Sequence, residues 1–187
     1  MFTDIYNTSQ KYKTLYIDPP WPEQGGGKTK RGADRHYALM SLDEIEALPV
    51  RSLVDPGGCH LYLWVTNNFL AAGLRMIKAW GFEYITTVTW LKDRPGLGQY
   101  YRGLTEHCLF AATKNRLPYK VIDGKRRQGV TGFYEPKTVH SRKPAEMRRM
   151  IERVSYGPRL EMFAREEFPG WDCWGNEAPG AVDDWMT

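Results

Sequence analysis

The sequence predicts an α/β protein with a doubly wound, mostly parallel sheet and helices on both of its faces. Three observations favour this class. Short apolar segments with the length of buried strands alternate along the chain with segments of helical periodicity. The clearest strand, residues 60–65, is almost wholly apolar, as expected for a parallel sheet that is covered on both sides. Glycines and prolines end the helical segments, and no repeat of fixed period is present.

The predicted elements can be placed in chain order. Strands are expected at residues 15–17, 60–65, 84–90, 106–113, 159–164 and 171–174. Helices are expected from Ser41 to about residue 48, from Asn67 or Asn68 to Gly81, and from Pro144 to about residue 154. The regions near 22–37, 92–104 and 114–143 are predicted to be mobile loops of one domain that spans residues 1–187.

The bulk composition excludes several classes of protein. Apolar residues make up 42% and charged residues 26% of the 187 residues, a balance that supports one buried core. The three cysteines and four histidines lack the spacing of a disulfide framework or a metal site, so no metal is expected. No signal-peptide pattern is present, and no apolar run is long enough to span a membrane. We therefore expect a soluble, cytoplasmic protein, and a homodimer is compatible with the sequence.

One tetrapeptide combines features that point to chemistry. Asp18-Pro19-Pro20-Trp21 follows the first buried strand, and ligands of open α/β sheets bind beyond the carboxyl ends of strands. The prolines fix their φ angles, so the Asp18 carboxylate and the Pro19 carbonyl can be directed toward one place. Together they can accept both hydrogens of an exocyclic amino group and orient its lone pair. The Trp21 ring can stack on a base, although a simple turn with a core tryptophan would show the same four residues.

Seven segments of the chain match, in order, segments of a known family. They are residues 16–21, 36–41, 61–67, 106–109, 140–144, 160–165 and 174–177. Together they cover most of residues 15–177 and resemble the DPPW-type adenine-N6 methyltransferases. That family includes the catalytic subunit of the eukaryotic mRNA adenine methyltransferase and many bacterial and phage enzymes. One such match would be weak, whereas seven in order are hard to produce by chance.

The resemblance implies a Rossmann-like fold with a permuted motif order and methyl transfer from S-adenosylmethionine to the N6 amino group of adenine. By resemblance, Asp18, Pro19, Pro20 and Trp21 form the catalytic segment, and Trp21 and Tyr37 contact the substrate. Lys143 matches a lysine near the methionine carboxylate of the cofactor, although a solvated lysine at a helix start is the alternative. The other cofactor-binding residues that the resemblance implies are Asp18, Glu161, Arg165, Asn176 and Glu177.

The chain departs from the family pattern in two places, and one further motif is compatible with a different reaction. Glu177 stands where the family has glutamine, which keeps an acceptor and loses an amide donor. Residues 166–168 differ from the eukaryotic subunit, so the ribose contacts of that tripeptide do not transfer. Glu106-His107-Cys108 would suggest a cysteine nucleophile, but successive strand residues point to opposite faces. We therefore expect a structural strand with one polar residue that faces the pocket.

A basic region indicates the polymer that carries the adenine. Residues 114–149 hold eleven Lys and Arg against three acidic residues, with aromatic residues interleaved, a pattern typical of a nucleic-acid groove. The loops at 22–37 and 92–104 would form the opposite rim of that groove. The substrate contacts expected from basic side chains are Lys125, Arg126, Arg127 and Arg142. A solvated basic loop would show the same composition.

The chemical nature of the polymer is ranked only by domain content. The chain lacks the extra domains of the mRNA enzyme, so DNA is the first expectation and RNA the second. A base inside a duplex has to be flipped before it can enter such a pocket. A catalytically silent nucleic-acid-binding relative and an unrelated α/β enzyme with a small substrate are the alternatives. The intact Asp18 segment disfavours the first alternative, and the basic region disfavours the second.

Overall fold

A seven-stranded mixed sheet forms the centre of the protein in the computed structural model, which describes residues 1–22, 39–96, 98, 100–115, 117–137 and 142–178. Its strands are β1 (Thr14–Ile17), β2 (His60–Val65), β3 (Phe82–Leu91), β4 (Thr105–Thr113), β7 (Gly132–Tyr134), β8 (Arg159–Met162) and β9 (Asp172–Trp174). A separate hairpin pairs β5 (Val121–Ile122) with β6 (Lys125–Arg126). The helices are α1 (Leu42–Glu46), α2 (Leu70–Ala79) and α3 (Ala145–Val154).

The strand order is β7-β3-β4-β2-β1-β8-β9, and only β4 runs antiparallel to its neighbours. Strand β1 lies between β2 and β8 and is parallel to both, with Ile17 opposite Leu63 and Met162. The carboxyl ends of these three strands therefore meet at one edge, which we call the carboxyl edge. Their first residues meet at the opposite edge, the amino edge. The arrangement confirms the predicted α/β class with a mostly parallel sheet.

Helices cover both faces of the sheet, as predicted. Alternate side chains of β2 enter two different cores, because successive residues of a strand point to opposite faces. Leu61 and Leu63 pack in the core that contains α1 and α2, whereas Tyr62 and Trp64 pack in the core that contains α3. All six residues of β2 are buried, which explains its continuous apolar sequence. None of the described helices is long and apolar enough to cross a membrane.

The starts of the helices show where local signals succeed and fail. The capping box of α1 is formed as predicted: the Glu44 N–H donates to Ser41 Oγ, and the Ser41 N–H donates to the Glu44 carboxylate. Helix α2 instead follows a 3-10 turn, and neither candidate asparagine is its N-cap. Asn67 Oδ1 lies 2.8 Å from His107 Nε2 of β4, so a tertiary contact engages this side chain. Gly81, with φ of 83°, ends α2 as predicted.

The predicted loops differ in what the structure shows of them. Region 114–143 contains β5, β6 and β7, of which β7 joins the main sheet beside β3. Most of the region 92–104 is described and follows β3 at the carboxyl edge. Residues 23–38 lie outside the described part of the chain. The mobility of these regions stays a prediction.

Candidate active site

The Asp-Pro-Pro-Trp segment begins at the carboxyl end of β1. The Asp18 backbone N–H donates to the Met162 carbonyl of β8 at 3.4 Å, which extends the strand pairing by one residue. The Trp21 N–H then donates to the Pro19 carbonyl at 2.9 Å and closes a tight turn. The prolines stiffen this turn because their rings fix φ. The Asp18 side chain, 30% exposed, is thereby held at the carboxyl edge.

Asp18 belongs to a cluster of four side chains that alternate in charge. Lys143 Nζ lies 2.8 Å from Asp18 Oδ1 and 3.5 Å from Glu106 Oε2. The other oxygen of Glu106 lies 2.5 Å from Lys92 Nζ. The two lysines and Glu106 are less than 20% exposed. The cluster joins residues that follow β1 and β3, begin β4 and precede α3, so it forms only when the sheet is assembled.

Two tryptophans line the cluster on the α3 side of the sheet. Lys143 Nζ lies 5.5 Å from the centre of the Trp64 ring, and Lys92 Nζ lies 5.0 Å from the centre of the Trp90 ring. The two rings meet edge to face with their centres 6.3 Å apart. A ring face attracts a nearby ammonium group, so these contacts help to fix the direction of both lysines.

The carboxylates of the cluster have opposite pKa shifts. Burial raises the pKa of Asp18, and the opposing attraction of Lys143 does not fully offset it. Burial would also raise the pKa of Glu106, but the ammonium groups of Lys143 and Lys92 outweigh it and hold that pKa below its ordinary value. Glu106 is therefore the firmly ionised partner of the lysines, whereas Asp18 is the stronger proton acceptor of the two.

The predicted cofactor residues lie at the same edge but already have protein partners. The Glu161 carboxylate accepts two hydrogen bonds from Arg148 of α3, at 2.7 and 3.0 Å. Arg165 Nε lies 3.6 Å from Glu177 Oε2, and both side chains are at least 40% exposed. Asn176 is exposed in the turn after β9. The structure therefore brings all of these residues to the carboxyl ends of β8 and β9, next to β1.

The position of Trp21 favours a core role over the predicted stacking on a base. Its side chain is only 6% exposed, and its ring stacks on Phe69 with centres 5.1 Å apart and planes 15° apart. The indole Nε1–H donates to the Trp64 carbonyl at 2.9 Å. Phe69 covers one face of the Trp21 ring, and the Trp64 carbonyl accepts the indole N–H. Trp21 therefore packs in the core beneath the turn. Tyr37, the other predicted base contact, lies outside the described residues.

The structure does not bring Lys125, Arg126 and Arg127 to Asp18. The Lys120 N–H donates to the Val154 carbonyl in the last turn of α3, and the Arg127 N–H donates to the Lys120 carbonyl. The first turn of α3 lies beside Asp18, so this last turn lies at the amino edge. These residues and the loop at 92–104 therefore lie at opposite edges of the sheet, and a nucleic-acid groove formed by both stays a prediction. Composition alone carries no information about the edge at which a segment lies.

Arg142 lies at the correct edge for a substrate contact. It is exposed, directly precedes Lys143, and its Nη2 lies 2.8 Å from Glu166 Oε2. An exposed pair of this kind is weak, so a phosphate group can compete for the guanidinium. The contact of Arg142 with substrate stays a prediction.

Two clustered residues, Glu106 and Lys92, and the Arg148 partner of Glu161 were not among the predicted site residues. Each ion pair joins consecutive elements through residues 13 or 14 positions apart, and no local pattern shows such pairs. One signal was present for Glu106, since an acidic residue that is partly buried in a strand usually has a partner. Its neighbour Cys108 is fully buried and burial raises its thiol pKa well above the ordinary value, which fits a structural strand. No group of metal-ligating side chains occurs among the described residues.

Comparison with known proteins places this site in a family. A model of the MT-A70 family matches residues 12–177. The type II methyltransferase M.MunI of Mycoplasma is 29% identical over 91% of this chain and 79% of its own length. The human N(6)-adenine-specific methyltransferase METTL4 is 30% identical over 92% of this chain and 39% of its length. An N(6)-adenosine-methyltransferase MT-A70-like protein of Drosophila melanogaster is 31% identical over 91% of this chain and 27% of its length.

These matches extend over the whole described sheet, from the residues before β1 to the turn after β9. The chain spans most of the length of the Mycoplasma relative and well under half of the human and Drosophila relatives. Because the family model covers nearly the whole chain, including every residue of the charged cluster at the carboxyl edge, this protein belongs to the MT-A70 family of methyltransferases.

Proposed function

We propose that this protein transfers a methyl group from S-adenosylmethionine to the N6 amino group of adenine in DNA. One observation carries the proposal: a chain of the MT-A70 family holds a partly buried, lysine-paired carboxylate, Asp18, in a proline-stiffened turn at the carboxyl edge. Ligands of open α/β sheets bind at this edge, near the point where the strand order reverses. Strand β1, which precedes Asp18, lies at the centre of the sheet between β2 and β8.

The charges at the carboxyl edge fit the proposed cofactor. The methionine part of S-adenosylmethionine carries an ammonium and a carboxylate, and its ribose carries two hydroxyl groups. Lys143 would hold the carboxylate, and Glu177 would accept hydrogen bonds from the ribose hydroxyls. Asn176, Arg165 and Glu161 would complete the site around the ribose and adenine. When it is bound, the cofactor supplies an electrophilic methyl group on a positively charged sulfur.

Asp18 and Pro19 would hold the target amino group. The Asp18 carboxylate accepts one N–H of the amine, and the Pro19 carbonyl has a lone pair left beside its bond to the Trp21 N–H. Accepting both hydrogens fixes the direction of the nitrogen lone pair, so that the new bond forms between this nitrogen and the methyl carbon. The methylated amine then carries an extra proton. Asp18 can accept that proton, since burial has raised its pKa.

Glu106 and Lys92 would keep Lys143 in place while its partner changes. Lys143 contacts both Asp18 and Glu106, so its positive charge is still paired with the Glu106 carboxylate when Asp18 turns toward the substrate amine. Lys92 in turn neutralises Glu106. The four-residue cluster can therefore release Asp18 without leaving an uncompensated buried charge.

DNA is the first proposal for the polymer and RNA the second. The Mycoplasma relative, named a type II methyltransferase, is matched over 79% of its length, so it has little sequence beyond this domain. The relatives named as N(6)-adenosine methyltransferases are matched over about a quarter of theirs. Their similar identities, between 29% and 31%, do not separate the two polymers, whereas the larger matched share of the Mycoplasma relative supports DNA as the first proposal.

The proposal is tested by transfer of a labelled methyl group to single- and double-stranded DNA and RNA, followed by identification of N6-methyladenine in the hydrolysed product. The matched variants are Asp18→Asn and Asp43→Asn, the latter on a nearly fully exposed aspartate of α1. We expect Asp18→Asn to lose at least about 100-fold in kcat/KM, because a neutral amide accepts the amine hydrogen more weakly than a carboxylate and cannot take up the released proton. Asp43→Asn should be indistinguishable from the wild type. A wild type that labels no polymer, or an Asp18→Asn variant with unchanged activity, contradicts the proposal.

Binding of the cofactor separates an enzyme from a catalytically silent relative. Calorimetry with S-adenosylmethionine should show binding by the wild type and weaker binding by Lys143→Gln, because the carboxylate loses its cation. If the protein binds nucleic acid but does not bind S-adenosylmethionine, it is a catalytically silent relative and the proposal is wrong.

A further inference from the structure

The β5–β6 hairpin is attached to the amino edge of the sheet, far from Asp18. Its leading segment lies against β2, where His60 Nε2 is 2.7 Å from the Leu117 carbonyl. The Lys120 N–H donates to the Val154 carbonyl at 2.8 Å, and the Val121 N–H donates to the Tyr156 hydroxyl at 3.1 Å. These bonds hold the hairpin against the end of α3 and leave both of its strands exposed.

The length of α3 sets the separation of the hairpin from the catalytic carboxylate. Lys143 precedes the helix and contacts Asp18, whereas Val154, the last residue of the helix, contacts Lys120. Ten helical residues extend about 15 Å. The hairpin therefore cannot line a pocket for the target base, but it lies within reach of the same bound polymer.

The cations of the hairpin differ from those at the carboxyl edge in having no acidic partner. Among the described residues, none of the basic side chains of the segment 119–127 lies within ion-pair distance of a carboxylate. These side chains are Lys120, Lys125, Arg126 and Arg127. The segment holds one acid, Asp123, in its turn. Arg153, in the last turn of α3, adds a further exposed cation to this end of the molecule.

Arg126 is also held in a fixed orientation. Its guanidinium carbon lies 4.5 Å from the centre of the Tyr119 ring, while the residue itself is exposed. Stacking on an aromatic ring reduces the freedom of the side chain but leaves the N–H groups of the guanidinium available at its rim. A planar, exposed and unpaired guanidinium is well suited to bind a phosphate group.

We propose that the β5–β6 hairpin is a second docking site that binds the phosphate backbone of the substrate on one side of the target adenine. The inference rests on the proposed function, since it takes the polymer in the pocket as its ligand. Nucleic acid rises about 3.4 Å per nucleotide, so a separation of about 15 Å corresponds to four or five nucleotides from the target base. The hairpin raises affinity for long substrates and contributes nothing to the chemical step.

The test uses the full chain and a charge-removing double variant, Lys125→Gln with Arg126→Gln. A charge-keeping double variant, Lys125→Arg with Arg126→Lys, and Lys78→Gln on the exposed side of α2 serve as controls. Binding of a fluorescent oligonucleotide of about thirty nucleotides is measured by anisotropy at several salt concentrations. Methylation is measured with the same oligonucleotide and with one of about six nucleotides whose target adenine is central, which leaves too few nucleotides on either side to reach the hairpin.

We expect the charge-removing variant to bind the long oligonucleotide about tenfold more weakly. The slope of log affinity against log salt concentration should be smaller by about one to two. Each phosphate contact contributes about 0.9 to this slope for duplex DNA and about 0.7 for single strands. Its KM for the long substrate should rise while its kcat stays unchanged, and both constants should stay unchanged for the short substrate. Lys78→Gln should behave as the wild type, and the charge-keeping variant should keep the salt slope of the wild type, since it keeps both charges. Unchanged affinity and salt slope would overturn the inference, as would an equal loss with the short substrate. Because binding is measured without methyl transfer, a wild type that binds but does not methylate would contradict only the proposed function.

Discussion

In the cluster around Asp18, at the carboxyl edge of the sheet, the charged side chains are paired and mostly buried, whereas Lys125 and Arg126 of the hairpin, at the amino edge, are exposed and form no ion pair with a described carboxylate. Asp18, Glu106 and the lysines between them neutralise one another within a few ångströms. The guanidinium of Arg126, by contrast, stacks on an aromatic ring. A buried charge needs a partner to offset its lost hydration, while an exposed charge does not. The two edges therefore suit different tasks, with orientation of reacting groups at one edge and attraction of a polyanion at the other.

Breaking a pair at the carboxyl edge should have the largest effect on stability. Arg148→Met leaves the Glu161 carboxylate, 16% exposed, without its cation, and we expect unfolding to cost about 3 kcal/mol less. The adjacent Arg149→Met removes an exposed pair with Glu146 and should cost less than about 1 kcal/mol. Urea denaturation measures both changes. Adding Glu161→Gln to Arg148→Met should recover part of the loss, and equal effects of the two arginine variants would remove the contrast between buried and exposed pairs.

Asp18 itself should oppose folding at neutral pH. Its pKa is higher in the folded than in the unfolded state, so the folded protein holds the proton more tightly and the charged carboxylate favours unfolding. The cost is absent below the unfolded pKa and grows as pH rises through the folded pKa. We therefore expect Asp18→Asn to be at least as stable as the wild type, by a margin that is larger at pH 7 than at pH 3, below the unfolded pKa of an aspartate. Urea denaturation at both pH values measures the margin, and a less stable variant at pH 7 would contradict this account.

Two histidines should make stability depend on pH to different extents at the two edges. Burial lowers the pKa of His60, at the amino edge, despite its contact with the Leu117 carbonyl, and burial lowers the pKa of the less buried His107, at the carboxyl edge. Since the unfolded state binds the proton more tightly, stability is fully present above about pH 6.5 and is lost as pH falls below it. Between pH 7 and 5, the free energy of unfolding should change less with pH in His60→Gln than in His107→Gln, because the substitution removes the more buried of the two histidines. Equal slopes would indicate that the burial of His60 has no energetic consequence.

The smallest effect on stability is expected from the hairpin. Lys125→Gln with Arg126→Gln changes exposed side chains without acidic partners, so the free energy of unfolding should change by less than about 0.5 kcal/mol. A thermal or urea melt checks this directly. A loss above about 1 kcal/mol would mean that the cations stabilise the fold, and the docking role at the amino edge would lose its support.

Local signals in the sequence predicted which segments form helices and strands better than they predicted where these segments lie in the folded protein. The continuous apolar sequence of β2 and the capping box of α1 are confirmed, because both depend on residues that are neighbours in the chain. The cluster of Glu106 and Lys92 could not be predicted, since its contacts join residues brought together only by the sheet. The same holds for the hairpin. Its basic composition was evident, but the edge at which it lies is set by the hydrogen bonds of Leu117 and Lys120.

The position of Trp21 shows a different limit. An aromatic residue after a catalytic-looking turn is compatible with base stacking and with core packing, and only its contacts with Phe69 and Trp64 separate the two. The family resemblance itself is confirmed, because the model of the MT-A70 family matches residues 12–177. The roles of Asn176, Glu177 and Arg165 stay predictions, since a fold fixes where side chains lie before it fixes what they bind.

The pairing of β1 with β8 has a consequence for the synthesis of this protein. About 145 residues separate Ile17 from its partner Met162, so the strand that precedes Asp18 leaves the ribosome long before the strand beside it. Until then one side of β1 presents unpaired backbone groups, a surface that invites pairing with other nascent chains. The half-made protein also lacks Lys143 and the carboxyl ends of β8 and β9. The cluster at the carboxyl edge should therefore form only after β8 has been synthesised, and a chain that stops before β8 should yield an aggregation-prone fragment.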